Sequence, residues 1–229
     1  MAKPVCAVVG IGPGNGEAFA RTFDAHGYAL ALLSRSTDLS GRLAGELDDA
    51  RAYACDATDP EAVETTFRQV REDLGPVDVL VYNAGSGSWK TVEELSAADF
   101  DSGWRVNALG ALVTAQQVIP DMKQKGAGNI IFVGATASLR GIPKTAGFAP
   151  AKAAQRILAQ SMAKHLQPHG IHVSVLIIDG VVGEPDSEET RDAERLDPRH
   201  VAGAAYYLTQ QPSSAWSFEM DLRPMQESW

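Results

Sequence analysis

Four glycines follow an apolar run near the start of the chain, at the alternate positions 10, 12, 14 and 16. The spacing Gly-x-Gly-x-x-Gly does not fit, because Asn15 or Glu17 stands where its third glycine is required. The spacing Gly-x-x-x-Gly-x-Gly fits through Gly10, Gly14 and Gly16. A side chain at such positions would obstruct a tight turn and the approach of a pyrophosphate to the free amides of a helix N-terminus. The segment therefore predicts a dinucleotide phosphate site, and a flexible turn without a ligand is the alternative.

The end of the second apolar run indicates which dinucleotide is bound. It reads Leu33-Ser34-Arg35-Ser36, with no carboxylate where an NAD-binding protein holds the adenosine ribose diol. Ser34 and Arg35 instead offer a hydroxyl and a guanidinium, which suit a 2′-phosphate. NADP(H) is favoured over NAD(H), and the alternative is a solvated arginine at a strand end.

Short apolar runs alternate with longer segments of helical period, a pattern typical of repeated β-α units on a parallel sheet. The predicted strands are Val5–Val9, Ala29–Ser34, Ala50–Cys55, Val77–Tyr82, Ile130–Val133, Val173–Ile178 and Ser217–Leu222. The predicted helices are Gly16–His26, Pro60–Leu74, Ala97–Met122, Ala149–Gln167 and Pro198–Gln210. Gly183–Leu196 is rich in Glu, Asp and Pro and is predicted to be a mobile loop, where an open sheet would build a substrate lid.

Further polar residues recur after these elements, and their order carries a family resemblance. With the glycine turn, the segments Cys55-Asp56-Ala57-Thr58, Asn83-Ala84-Gly85 and Val106-Asn107-Ala108 resemble the short-chain dehydrogenase/reductase family over nearly the whole chain. The resemblance implies one dinucleotide-binding domain over residues 1–229, an α/β Rossmann-like doubly wound sheet of about seven parallel strands with helices on both faces. It implies that Asp56 receives the adenine amino group and that Asn107 supports a proton-relay water. It also implies further cofactor contacts at Asn15, Ala57, Asn83, Ala84 and Gly85.

The segment that carries the family's catalytic groups departs from the family pattern. Family members have a Ser thirteen residues before a Tyr and a Lys four residues after it; here these positions hold Ala135, Phe148 and Lys152. In the family mechanism the phenol protonates the carbonyl oxygen as hydride arrives, and the serine hydroxyl holds that oxygen. Alanine and phenylalanine can do neither. Lys152 is expected to hold the nicotinamide ribose, or else to be an exposed lysine in a first helical turn. Phe148 is expected to line an apolar face of the nicotinamide pocket, or to be a core aromatic.

The sixth strand is followed by a second departure. Relatives show Pro-Gly and then a Thr that touches the carboxamide, whereas Asp179 and Glu184 take the proline and threonine positions here. Asp179 is the leading candidate for a replacement proton donor, with a capping or solvated role equally open. Gly180 and Val182 are expected to contact the cofactor. Thr136, Ser138 and Lys144 are weaker candidates for proton transfer.

Composition excludes several other classes of protein. The 229 residues are 45% hydrophobic and 21% charged, which is ordinary for a globular chain. A net charge of −9 leaves no broad basic surface, so nucleic acid and membrane partners are not expected. Cys6 and Cys55 have no metal-ligand spacing and suit buried thiols in the cytoplasm, where we expect the protein. Trp104, Trp216 and Trp229 are expected to serve packing. A homodimer or homotetramer is expected by resemblance.

Three functions remain open from the sequence. The first is an NADP(H)-dependent oxidoreductase acting on a small-molecule carbonyl substrate with a group other than the family tyrosine. The second is a non-catalytic NADP(H)-binding sensor or partner subunit. The third is a lyase or isomerase on the same fold, because fold does not fix function.

Overall fold

A computed structural model describes residues 2–227, and these residues form a parallel seven-stranded sheet. The strands lie in the order β3-β2-β1-β4-β5-β6-β7, and each neighbouring pair is parallel. Their bounds are β1 Val5–Val9, β2 Ala29–Ser34, β3 Ala50–Ala54, β4 Val77–Tyr82, β5 Gly128–Ala135, β6 Ile171–Ile178 and β7 Glu219–Leu222. The predicted strands are confirmed, with ends that differ by up to two residues.

The helices connect these strands and cover both faces of the sheet. They are α1 Asn15–Ala25, α2 Asp38–Glu46, α3 Pro60–Asp73, α4 Ala97–Trp104, α5 Gly110–Lys125, α6 Phe148–Leu166, α7 Glu188–Arg191 and α8 Pro198–Thr209. Alternate β1 residues explain the two layers: Val5, Ala7 and Val9 pack on one side and Cys6 and Val8 on the other. The first side holds α3, α5 and α6, and the second holds α1, α2 and α8. The predicted Rossmann-like doubly wound architecture is therefore confirmed.

The structure differs from the predicted elements in three places. Helix α2 was not predicted, because Gly41 and Gly45 weaken its pattern; Leu43 nevertheless buries its side chain completely against the sheet. The predicted helix Ala97–Met122 is divided by a wider π-helical turn at Arg105–Leu109. The predicted mobile loop Gly183–Leu196 contains α7, and its first and last residues are joined by a backbone hydrogen bond.

Trp216 has the expected packing role, whereas Trp104 does not. Trp216 stacks on the buried ring of His172, with centroids 4.8 Å apart, as expected of a packing residue. Trp104 remains 44% exposed on α4, so within this chain it is a surface residue. Trp229 lies outside the described residues.

Cys6 and Cys55 are buried free thiols. In residues 2–227, no helix combines the length and apolar character that a membrane span requires.

The strand order reverses between β1 and β4, and this reversal opens a crevice at the carboxyl ends of the strands. Gly10 ends β1 there with a φ of +97°. A Cβ on Gly10 would lie 2.5 Å from the backbone nitrogen of Ala84 at the end of β4. The Asn83 side chain also donates a hydrogen bond to the Gly10 carbonyl, at 2.7 Å. The two strand ends are therefore held in direct backbone contact.

We expect Gly10→Ala to lower the free energy of unfolding by about 2 kcal/mol or more, because the new Cβ strains φ and meets fixed backbone. Gly12→Ala is the matched control, since a Cβ there meets nothing within 4 Å. We expect the control to change stability by less than about 1 kcal/mol. Urea unfolding followed by circular dichroism measures both values, and equal losses would contradict the contact described here.

Candidate functional site

The glycine turn after β1 shapes the centre of the site. Gly16 packs at the start of α1 so closely that a Cβ would lie 2.7 Å from the Gly10 carbonyl oxygen. Gly12 and Gly14 face open space, where a side chain would fill the approach to the α1 N-terminus. Asn15 begins α1, and its buried Oδ1 has no hydrogen-bond partner among residues 2–227. The turn is therefore an open backbone cradle at a helix N-terminus.

One cavity, of about 510 Å³, extends from this turn to the ends of β2 and β3. Arg35 is exposed at its edge, while the Ser34 hydroxyl donates to the Ser36 carbonyl at 2.7 Å. Asp56 accepts hydrogen bonds from the Thr58 amide and hydroxyl, and these bonds hold the pKa of Asp56 below its usual value. The structure thus brings together around one cavity several residues predicted to contact the cofactor, which are Gly10, Ser34, Arg35, Asp56, Ala57, Asn83, Ala84 and Gly85.

A second cavity, of about 620 Å³, lies over the ends of β4, β5 and β6. It shares Asn83, Gly85 and Ser86 with the first cavity, so the two form one groove across the point where the strand order reverses. The predicted residues Asn15, Ala135, Phe148, Lys152, Asp179 and Gly180 line this second part. The groove has the extended shape that a dinucleotide with a small substrate at one end requires.

Lys152 lies on α6 at the floor of the second cavity and is only 5% exposed. Its ammonium donates to the Val133 carbonyl at 2.8 Å and to Gln155 Oε1 at 3.1 Å. Burial of the ammonium lowers the pKa of Lys152 to about 8. The alternative of an exposed helical lysine is therefore wrong, because the side chain turns inward to two acceptors.

Asn107 lies beside this lysine, in the π-helical turn between α4 and α5. Its Nδ2 donates to the carbonyls of Ser86, at 2.8 Å, and Gly103, at 2.9 Å, while its buried Oδ1 has no partner among residues 2–227. A Cβ built on Gly85 would lie 3.3 Å from Asn107 Oδ1 and 3.4 Å from Lys152 Nζ. Glycine at position 85 thus leaves a small polar gap between the amide oxygen and the ammonium.

The positions of the missing family hydroxyls face the same cavity. Ala135 ends β5, and Phe148 begins α6 with its ring against Gly87 and Trp89. The Phe148 and Trp89 ring centroids are 5.6 Å apart, and Lys152 Nζ lies 6.0 Å from the Phe148 centroid. Phe148 therefore forms part of the cavity wall and is only partly buried, in agreement with the predicted pocket position rather than the core alternative.

Asp179 lies in the cavity wall, 8% exposed, but it is not alone. Arg223, just beyond β7, donates to its carboxylate, and Arg140 Nη2 lies 3.9 Å from its Oδ1. The carboxylate of Asp179 is therefore held in ion pairs with two guanidinium groups. Sequence reasoning missed Arg140, Arg223, Trp89 and Glu227, although all except Arg223 line the cavity. No sequence pattern indicated Arg223, because the contact depends on the register of β6 against β7, which pairs Ile178 with Leu222.

Five other predicted positions do not contribute as expected. Val182 does not line either part of the groove, because its backbone pairs with Leu196 and its side chain packs on the core. Glu184 is exposed outside the groove, and residues 183–196 form none of its walls. The Thr136 hydroxyl lines the cavity but donates to the Ile178 carbonyl at 3.3 Å. Ser138 and Lys144 lie outside both parts of the groove.

Comparison with known proteins agrees with this architecture. A family model described as short chain dehydrogenase matches residues 4–194. A short-chain dehydrogenase from Rhodopseudomonas palustris is 32% identical, with a TM-score of 0.84 over 96% of this chain and 98% of that one. An alcohol dehydrogenase from the archaeon Thermococcus sibiricus, solved with 5-hydroxy-NADP, is 30% identical, with a TM-score of 0.90 over 99% and 98%. An uncharacterized oxidoreductase of Staphylococcus aureus (strain N315) is 25% identical over 230 residues, covering 98% of this chain and 99% of that protein.

The buried Lys152 makes stability depend on pH. The unfolded chain keeps this proton up to about pH 10.5, whereas the folded protein releases it near pH 8, so the unfolded state binds more protons between these values. The contribution of Lys152 to stability therefore rises with pH across this window, by ~3 kcal/mol in all. We expect the difference in unfolding free energy between wild type and Lys152→Met to follow that rise.

Urea unfolding at pH 7, 8, 9 and 10 measures this difference. Comparison with the variant cancels the titration of the cysteines and tyrosines, which both proteins share. A difference that is constant from pH 7 to pH 10 would contradict the buried, perturbed ammonium.

Proposed function

Because this chain belongs to the short-chain dehydrogenase family, we propose that it is an oxidoreductase that uses NADP(H) to reduce a small carbonyl compound without a catalytic tyrosine. The single observation that carries the proposal is the continuous groove from Arg35, past the glycine turn, to the buried ammonium of Lys152. One end of this groove offers charge for a nucleotide phosphate, and the other a small cavity with a proton-bearing group.

The residues present fit a dinucleotide. The open surface over Gly12 and Gly14 leaves room for a pyrophosphate at the α1 N-terminus, where backbone amides favour an anion. Asn15 Oδ1 and Asn107 Oδ1 are buried acceptors without partners among residues 2–227, and both lie along the groove or beside it. Buried polar groups of this kind usually have a partner in the functional state. Lys152 and Asn83 would hold the nicotinamide ribose.

The preference for NADP(H) rests on the ends of β2 and β3. The exposed guanidinium of Arg35 suits a 2′-phosphate, and the nearest acid in this part of the groove, Asp56, is turned to Thr58. Ser34 contributes indirectly, since its hydroxyl holds the backbone of Ser36 beside Arg35. The Thermococcus sibiricus relative was solved with an NADP derivative, which supports the same choice of cofactor here.

The bound cofactor would supply a hydride to the carbonyl carbon, and the chain must then provide a proton for the carbonyl oxygen. Phe148 and Ala135 have none to give, and the Asp179 carboxylate is engaged in an ion pair with Arg223. Lys152 has two N–H groups committed to Val133 and Gln155 and a third proton to donate. Its pKa of about 8 lies near neutral pH, where a general acid is most effective. We assign the role of proton donor to Lys152. Its proton would reach the carbonyl oxygen through the space left by the missing Ser and Tyr hydroxyls at positions 135 and 148.

A non-catalytic NADP(H)-binding protein is the second candidate. The specific observation in its favour is that the cofactor half of the groove keeps the family residues, while Ala135 and Phe148 remove both hydroxyls of the substrate half. Binding without turnover would give such a protein the role of a sensor or partner subunit.

Titration with NADPH and NADH tests the cofactor proposal directly. We expect NADPH to bind more tightly, and Arg35→Gln to weaken NADPH binding by about tenfold to a hundredfold, because a charged hydrogen bond to phosphate is lost. NADH binding should not change. Arg42→Gln is the matched control, an arginine on the neighbouring α2 that lies near Glu46. Nicotinamide fluorescence gives the affinities, and failure of both dinucleotides to bind would overturn the proposal.

Restoring the family hydroxyls separates the two candidates. If the groove positions substrate and cofactor for hydride transfer, Ala135→Ser with Phe148→Tyr should raise the rate of NADPH-dependent reduction of simple ketones by about 10²–10⁴-fold. The matched control is Ala135→Ser with Phe148→Leu, which restores one hydroxyl and supplies no acid. The decrease in NADPH absorbance at about 340 nm follows the reaction. No turnover by either double variant, with NADPH binding intact, would favour the non-catalytic protein.

A further inference from the structure

The mouth of the second cavity is lined by large apolar side chains that the chain leaves in contact with solvent. Trp89 is 63% exposed, Ile142 57% and Val181 58%, and all three line this cavity. Single exposed apolar residues need no explanation, but a cluster around a concave site marks a surface that binds an apolar ligand. The three residues are therefore candidates for contact with the substrate body.

Trp89 and Phe148 form an aromatic wall at this mouth. Their planes are inclined by 39° with centroids 5.6 Å apart. Phe148 can approach because residue 87 is glycine: a Cβ there would lie 3.1 Å from the Phe148 ring. The chain beside Trp89 is tied down, since Lys90 forms a β-bridge with Thr145 and an ion pair with Asp99 at 2.8 Å. The aromatic wall is thus held in place on both sides of the cavity mouth.

Ile142 is fixed by the same segment. The Thr145 hydroxyl accepts from the Ile142 amide at 2.9 Å and donates to the Ile142 carbonyl at 3.0 Å. These bonds form a closed local turn that presents the isoleucine to the cavity without a change of backbone. The apolar mouth is accordingly preformed, which reduces the conformational entropy lost on binding.

Several polar side chains of the cavity already have hydrogen-bond partners within the chain. Asp179 accepts from Arg223, Thr136 donates to the Ile178 carbonyl, and Thr145 is bonded to Ile142. A substrate rich in hydroxyl groups would have to leave its hydrogen bonds with water, and these three side chains would not replace them. Lys152 remains as the polar group on the cavity floor.

From this geometry we propose that the substrate is a carbonyl compound with a flat apolar body, an aryl ketone or aldehyde. The aryl group lies against Trp89 and Phe148, and the carbonyl oxygen points toward Lys152. This inference rests on the proposed oxidoreductase function, and it adds the substrate class to that function. In this inference Phe148 serves only to bind the substrate, whereas a tyrosine at that position would take part in both binding and catalysis.

The test is binding of 2-acetonaphthone, measured by equilibrium dialysis against the protein alone and the protein with NADP⁺. An aryl ketone forms an imine with lysine less readily than an aldehyde does, and the oxidised cofactor prevents turnover. We expect 2-acetonaphthone to bind more tightly than dihydroxyacetone, and Trp89→Ala to weaken it about tenfold through loss of aromatic contact. Trp89→Phe should retain most of the affinity. Trp104→Ala is the matched control, an exposed tryptophan on α4 that does not line the cavity.

The outcomes separate the two proposals. If dihydroxyacetone binds as tightly as 2-acetonaphthone, or if Trp89→Ala and Trp104→Ala have equal effects, the substrate class is wrong. NADP⁺ binding without binding of the aryl ketone also overturns the substrate class and leaves the cofactor proposal intact. Ketone binding that depends on Trp89 in a protein that binds no dinucleotide would support the aryl site and overturn the proposed oxidoreductase.

Discussion

The contact between the end of β1 and the end of β4 is the constraint on which the whole site depends. Gly10 can meet the backbone of Ala84 because it has no side chain and adopts a positive φ, and Asn83 fixes the contact by bonding the Gly10 carbonyl. The α1 N-terminus then points into the crevice where the strand order reverses. Both parts of the groove meet at residues 83, 85 and 86, beside this contact. A shift here would move the phosphate cradle and the lysine floor relative to each other.

The ammonium of Lys152 shows how the fold can retain a costly group. Burial of a charged amine disfavours its charged form, and this is the cause of the low pKa. The Val133 carbonyl and Gln155 Oε1 offset part of this cost by accepting hydrogen bonds from the ammonium. Gln155 is itself 1% exposed, and its Nε2 has no partner in the described part of the chain. An unpaired amide nitrogen in the interior lowers the stability of the fold. We therefore explain the buried Gln155 by its hydrogen bond to the Lys152 ammonium rather than by a contribution to stability.

Sequence patterns predicted β1, β2 and β4 well because these strands are largely buried on both faces and read as nearly continuous apolar runs. Val5–Val9, Ala29–Ser34 and Val77–Tyr82 match the structure at both ends. Helix α2 escaped prediction because its glycines obscure the helical period, and its stability comes from packing. The residues that line the first cavity were predictable from local motifs. The Asp179–Arg223 pair was not, since it joins residues 44 apart through the pairing of β6 with β7. Trp89 lies in a loop, where spacing carries no periodic signal.

The loss of the family hydroxyls and the apolar cavity mouth can be understood as one change. A phenol at position 148 would place a hydroxyl in the cavity wall that Phe148 forms with the Trp89 ring. Phenylalanine removes the proton donor, and it also removes the need to satisfy a hydroxyl in a site that aryl compounds would fill and dry. In the proposed reaction the proton comes from the buried Lys152, whose pKa of about 8 suits that task while the cavity remains apolar. The two proposals are then coupled: water admitted by an open, polar mouth would raise the pKa of the lysine and weaken it as an acid, so substrate binding at the aromatic wall would support proton transfer by Lys152.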